Sequence, residues 1–236
     1  MSEPETPHRA VEALRRAMEA HGARLVPEPE EPSGFGPGSP AWHRQQRARM
    51  ALNRWETAAP PRYRAACSTL PYVNAWADRV IADSATAGSL LIVGPTGTGK
   101  TYQAYGALRR IAEAGPAHYG VIGTSSADLY GALLPSQNLG QSERELQRLL
   151  TVPLLLVDDF GTAKGSEWKE EITYRLINHR YNHCLPTVFT SNLPVRSDDP
   201  AVPDLTTYLG ERITSRLAQM ATVVPMIGAD RRRKAA

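Results

Sequence analysis

Five short apolar runs punctuate the chain after residue 65: SLLIV (89–93), HYGVIGT (118–124), PLLLV (153–157), TVFTS (187–191) and TVVPMI (222–227). They are rich in β-branched residues and too short for buried helices, so they predict strands covered on both faces. Between them lie segments of mixed polarity, TYQAYGALRRIAEA, ERELQRLL, WKEEITYRLINHRYNH and ERITSRLAQM. Their apolar spacing predicts amphipathic helices. Strand and helix alternate without an internal repeat, which is the pattern of an α/β fold built on a parallel sheet.

The first quarter of the chain has a different texture. Residues 7–22 have the composition of a short helix, and VPEPEEPSGFGPGSP (26–40) crowds Pro, Gly and Glu as a linker does. AWHRQQRARMALNRWE is again helical in composition. Together with PPRYR it carries Arg44, Arg47, Arg49, Arg54, Arg62 and Arg64 against a single acid, Glu56, with Trp42, Trp55 and Tyr63 interleaved. One reading is a surface that tracks a nucleic-acid backbone while its aromatics stack on bases. The other is a solvated helix that docks by its Trp, Met and Leu positions onto a partner or its own core. A length of 236 residues suits one domain with an appendage. The expected division is a short helical, partly disordered arm over 1–60 that serves partner binding, and one packed domain over 61–236.

Charge and cysteine content narrow the classes. The formal net charge is only +3, and lysine occurs only at Lys100, Lys164, Lys169 and Lys234. Arginine suits phosphate contacts, but so mild a balance gives nucleic-acid binding little weight by itself. Cys67 and Cys184 are too few for a four-cysteine zinc site, which fits a reduced intracellular protein. His179 and His183 are one helical turn apart, but Cys184 is badly directed as a third donor, so these read as helix-surface residues. The opening MSEPETPHRA has neither a basic start nor an apolar core, and no apolar run is long enough to span a membrane. The expectation is a cytoplasmic protein with no membrane segment.

Chemistry enters at GPTGTGKT, directly after the first apolar run and directly before a helix. This is the phosphate-binding loop pattern in the strand–loop–helix context it requires. Gly94, Gly97 and Gly99, with Pro95, Thr96 and Thr98 between them, would curl the backbone so that its N–H groups face a β-phosphate. Lys100 would reach the β- and γ-phosphates, and the Thr101 hydroxyl would meet Mg2+. The run LLLVDDFG then supplies carboxylates: Asp158 beside the metal, and Asp159 aimed at the attacking water, unless Asp159 only caps the turn. At the end of TVFTSNLP, Asn192 offers an amide to a γ-phosphate or its water. Arg212 and Arg216, four apart in YLGERITSRL, share one helix face. They would either meet an anion or pair with carboxylates such as Glu211 or those of the next helix.

Taken together, GPTGTGKT, VDDFG, TSN (190–192) and GERITSRL (210–217) resemble the AAA+ ATPases of the DnaC/DnaI type, bacterial and phage loaders of the replicative helicase. The resemblance begins at PPRYRAA and covers about residues 61–236. It implies a P-loop NTPase three-layer sandwich with a central parallel five-stranded sheet and the phosphate-loop strand in its middle. It implies Asn192 as the sensor 1 residue and Arg216 as a finger into the ATP site of an adjacent copy, with Arg212 supporting or replacing it. GADRR is similar to the second sensor segment, with Arg232 as the match and Arg231 the spare. Implied cofactors are ATP and Mg2+; implied partners are a DnaB-like replicative helicase, single-stranded DNA and further copies of the chain in a homo-oligomer. The shorter Asp159, where Glu is also usual, implies slow hydrolysis. No cysteine lies in residues 1–60, so the arm is not the zinc module of DnaI-like relatives. Transposition helper ATPases of the IstB type share the same core, and a nucleotide-switched adaptor without catalysis is the third possibility.

Overall fold

The computed structural model describes residues 36–134, 139–161, 166–199 and 201–231. The expected helix over 7–22, most of the linker, and Arg232 lie outside the described residues. The chain divides into two units, Met1–His43 and Arg44–Ala236. In the first, a turn opens a helix, and the Trp42 amide donates to the Ser39 hydroxyl (3.1 Å). That helix, α1 (Pro40–Ala58), continues into the second unit.

Within the second unit α1 packs on the core. Ala51 and Trp55 are buried, and the Trp55 indole donates to the Tyr105 carbonyl (3.2 Å). Arg47 and Arg54 spend donors on the carbonyls of Gly115 and Tyr119. Docking onto its own core is thus the reading realised over Arg44–Ala58, while Met50 stays exposed. Gly115 permits the approach: at φ 64°, a Cβ there would lie 2.5 Å from the Arg44 carbonyl oxygen.

All five strands form: β1 (Ser89–Val93), β2 (Val121–Ser125), β3 (Leu154–Asp158), β4 (Thr187–Ser191) and β5 (Ala221–Pro225). They pair in parallel in the order β2-β3-β4-β1-β5. The phosphate-loop strand β1 is therefore interior, but the middle place belongs to β4. β2 begins at Val121 rather than His118, and β5 ends at Pro225, a residue tolerated because this strand is an edge.

Seven further helices complete the described fold: α2 (Pro71–Ala82), α3 (Lys100–Glu113), α4 (Ser126–Leu133), α5 (Leu139–Thr151), α6 (Glu167–Asn182), α7 (Leu205–Leu209) and α8 (Glu211–Met220). The period of two along each strand sorts them into layers. Leu90, Ile92, Leu154, Leu156 and Val188 face one core with α1, α2 and α3. Leu91, Val93, Leu155, Val157 and Phe189 face the other with α4 to α8. Sheet between two helical layers is the three-layer α/β architecture expected from the sequence.

One charge is deeply buried. Arg180 on α6 is 1% exposed and donates to the Thr187 hydroxyl and to the carbonyls of Leu149, Leu150, Val152 and Pro186. Burial pushes its pKa down to about 9, so it remains protonated at neutral pH and ties the end of α5 to the approach to β4. Replacing it with methionine keeps the bulk and takes the donor from the Leu149, Leu150 and Val152 carbonyls, while Pro186 keeps the Leu155 amide. The cost is about 1 kcal/mol for each of the three, the low end for a buried group left unpaired. Arg180→Met is expected to lower the melting temperature by about 6–12 °C, corresponding to roughly 3 kcal/mol, as read by thermal unfolding. Among the described residues no helix is long and apolar enough to cross a membrane.

Candidate nucleotide site

The phosphate loop leaves β1 at Val93 and is clasped from both sides. The Gly94 amide donates to the Ser191 carbonyl (3.1 Å) at the end of β4. Gly94, Gly97 and Gly99 take φ values of 150°, 84° and 99°, and Thr98 bonds back to the Pro95 carbonyl (2.9 Å). At Gly97 glycine is required twice, by its positive φ and because a Cβ would lie 1.9 Å from Asp230 Oδ1. The segment after β5 thus packs on the loop, and the Arg231 amide donates to the Gly97 carbonyl (3.0 Å).

Lys100, the first residue of α3, is 5% exposed. Its ammonium donates to the carbonyls of Gly94 (2.7 Å) and Pro95 (2.9 Å) and to Asn192 Oδ1 (2.8 Å). Loop lysine and β4 amide are therefore in direct contact. Thr101 follows, and its hydroxyl donates to the Asp158 carboxylate at 2.9 and 3.1 Å. Thr190 donates to the same carboxylate and accepts from the Asp159 amide (3.1 Å). One hydroxyl thereby fixes both acids.

Asp158 is largely buried, and burial raises its pKa; the Thr190 and Thr101 hydroxyls pull it back, and the neighbouring Asp159 charge pushes it up again. Asp159 stands at φ 52°, unusual for a residue with a side chain, which turns the chain sharply at the strand end. Its carboxylate faces the Asn192 amide across 3.4 Å. Behind the site Tyr105 stacks on Tyr63, centroids 5.0 Å apart, and burial followed by the Asp158 and Tyr63 charges raises its pKa.

These groups open on a cleft of about 380 Å³. Of the residues expected from the sequence, Thr96, Gly97, Gly99, Lys100, Thr101, Asp159 and Asn192 line it. Gly94, Pro95, Thr98 and Asp158 support it from behind through the bonds above. Arg62, Tyr63, Tyr102 and Arg231 also line it. Arg62 and Tyr63 arrive on a short 3-10 turn (Pro61–Tyr63), and a basic run signalled them only as surface. Arg231, held as the spare to Arg232, is in the cleft.

Arg212 and Arg216 are elsewhere. They lie on α8, in the layer opposite α1 to α3, and do not line this cleft. Arg212 stands over the Tyr174 ring (4.4 Å) and Arg216 over Tyr181 (4.7 Å), both on α6. Glu211 pairs with Arg196 instead (3.6 Å), and neither Arg212 nor Arg216 makes an ion pair among the described residues.

The oxygens of Thr101 and Asp158 suit a hard cation such as Mg2+, which keeps several waters and needs only one or two protein ligands beside substrate phosphates. The buried carboxylate, whose charge burial disfavours, fits such a cation. Among the described residues no group of three or more His, Cys, Asp or Glu converges as a metal cluster. His179 and His183 stack on each other (4.0 Å) at the end of α6.

Parallel sheet, glycine-rich loop capped by a helix, acidic strand end and β4 amide define a P-loop ATP-binding protein of the AAA+ class. Residues 79–236 match the profile of the IstB-like ATP binding proteins, and the chain belongs to that family. Among solved structures it is similar to the DnaC helicase loader, at 26% identity and a TM-score of 0.57 over 74% of this chain and 99% of that one. It is also similar to DnaI, at 20% identity and a TM-score of 0.58 over 75% and 99%. A third is the replication initiator DnaA bound to AMPPCP and single-stranded DNA, at 20% identity and a TM-score of 0.56 over 71% and 50%. The last two identities establish the fold alone. No curated protein matches the chain at a significant level.

Proposed function

We propose that the protein is a cytoplasmic ATPase that loads a DnaB-like replicative helicase onto single-stranded DNA, hydrolysing ATP slowly between copies of itself. The observation that carries an ATP-dependent role is the contact of Lys100 with Asn192 beside Thr101 and the two aspartates. In this reading Lys100 and the loop amides of residues 96–101 hold the triphosphate. Thr101 and Asp158 would hold Mg2+, which when bound supplies positive charge against the phosphate oxygens. Asp159 orients the attacking water and accepts its proton, and Asn192 aligns it with the terminal phosphate. Arg231 takes the second-sensor role within its own subunit. The arm expected over residues 1–60 narrows to residues 1–43, assigned to partner binding, because Arg44–Ala58 pack on the core and are assigned with it to the ATPase domain.

Arg216, assisted by Arg212, completes the site of an adjacent copy. Support comes from their placement: neither arginine lines the cleft of its own chain, and each rests on a ring of α6 without an ion pair among the described residues, which leaves it to offer to a triphosphate across a subunit contact. Such a contact joins unlike faces, so it is head-to-tail. Arg216→Ala is expected to cut ATP turnover by roughly 10³-fold or more, the scale of donated arginines, while ATP still binds. Mixing it with Lys100→Ala chains restores turnover, because one partner supplies the nucleotide site and the other the arginine. No recovery in the mixture refutes the trans arrangement.

Match to the helicase loader over 99% of its length supports the loading role. The family match favours a second reading, a helper ATPase for a transposase acting on duplex DNA. Affinity capture from the native cell separates them by the bound partner, helicase or transposase. Stimulation of turnover by single-stranded but not duplex DNA supports loading, and equal stimulation by duplex supports transposition. A wild-type protein that binds ATP and never turns it over is a nucleotide-switched adaptor.

A further inference from the structure

The two arginines of α8 rest on a device that the sequence did not disclose. Tyr174 and Tyr181 are seven residues apart on α6 and share one face of that helix. Arg212 and Arg216 are four apart on α8, which packs against α6, and each guanidinium carbon stands over one ring, at 4.4 and 4.7 Å. We propose that Tyr174 and Tyr181 are positioning residues that hold Arg212 and Arg216 for the triphosphate of an adjacent copy. This rests on the trans arrangement set out above.

A neutral aromatic face suits this task better than a carboxylate. The ring quadrupole attracts the cation, but it neither neutralises the charge nor occupies the N–H donors, which radiate in the guanidinium plane. An acid would do both and would compete with the incoming phosphate. The acid nearest in sequence is diverted, since Glu211 pairs with Arg196. Ordering a long side chain beforehand also removes entropy that binding would otherwise lose. Arg212 additionally shares a small hollow with Glu167, Glu170 and Glu171. Arg216 is half-buried and rests on Tyr181 without an ion pair, so the Tyr181–Arg216 pair carries the larger part.

The test uses full-length chains in the mixed assembly. Arg216→Ala chains supply nucleotide sites, and Lys100→Ala chains supply arginines. Adding Tyr181→Leu to the arginine donor is expected to reduce the recovered turnover number about tenfold, the scale of a desolvated cation–π contact. The ATP concentration for half-maximal rate should stay within about twofold, because the nucleotide-binding chain is unchanged. Tyr181→Phe keeps the ring and should recover at least half of the wild-type donor's effect. Tyr174→Leu is expected to cost less, about threefold. Should the donor carrying Tyr181→Leu melt as the wild type does and still restore full turnover, Tyr181 does not position the arginine, although the trans reading stands. A donor carrying Tyr181→Phe that is as inactive as the one carrying Tyr181→Leu also overturns the proposal. If the unmodified Lys100→Ala donor restores nothing, both the trans reading and this inference fail.

Discussion

Lys100→Ala is expected to weaken ATP binding by about 100-fold or more and to bring turnover to background. Lys100 is 5% exposed, and its ammonium already holds three acceptors, the carbonyls of Gly94 and Pro95 and the Asn192 side chain. A buried cation at the glycine-rich loop is the strongest attractor for a triphosphate that this site contains. Charge-assisted hydrogen bonds contribute roughly 1.5–3 kcal/mol each, so losing two phosphate contacts accounts for the expected decrease. The substitution also removes the side-chain link between the loop and Asn192, because Gly94, Pro95 and Asn192 lose their common donor, and leaves the Gly94 amide to Ser191 carbonyl bond as a remaining tie to β4. Two readouts separate these effects. Thermal unfolding with saturating ATP should show a rise in melting temperature for wild type, as ligand linkage requires, and none for Lys100→Ala. Titration with a fluorescent ATP analogue then measures affinity directly. Near-wild-type affinity in a folded Lys100→Ala protein would remove the phosphate loop from the account.

The strands and the loop were legible because their signals are local. SLLIV and TVFTS become β1 and β4 with no change of boundary, as apolar runs bounded by polar ends should. Helix α2 escaped notice although its buried Val73, Trp76, Ala77 and Val80 follow the three-and-four spacing. Small Ala77 and polar neighbours dilute that stripe, and Pro71 at its start reads equally as a turn. Helix α7 is only five residues long, and its one marker is the Asp204 cap accepting from the Thr207 amide (2.8 Å).

Tertiary approach was beyond the reach of pattern. Arg180 looks like a surface residue until the carbonyls at the end of α5 close around it. Arg62 and Arg231 enter the cleft only because the segments before α2 and after β5 both fold toward the phosphate loop. The tyrosines under Arg212 and Arg216 depend on how α6 meets α8. A pairing of aromatic and cation across two helices leaves no mark in the spacing of either one.

Asp158→Asn should act in opposite directions on stability and on turnover. Burial raises the Asp158 pKa above its ordinary 3.8, so the folded chain resists ionising this carboxyl. Below that ordinary value both folded and unfolded forms are protonated, and no penalty exists. As pH rises the unfolded chain ionises first, and stability declines until the folded carboxyl has ionised too. The nucleotide-free wild type thus bears a penalty above the ordinary value that the uncharged variant does not. Asparagine keeps an acceptor for Thr101 and Thr190 but carries no charge to bury. The variant is expected to be more stable than wild type by about 1 kcal/mol at pH 7.5, with the difference shrinking toward pH 4. Turnover should fall by roughly 10³, and the Mg2+ dependence of ATP affinity should be lost, because the variant has only a neutral amide to offer the cation. Parallel thermal scans across pH and nucleotide titrations with and without Mg2+ measure both halves. A variant less stable than wild type at every pH would mean that the hydroxyl network, not the buried charge, governs this end of β3. Turnover within tenfold of wild type would place the metal elsewhere than at Asp158.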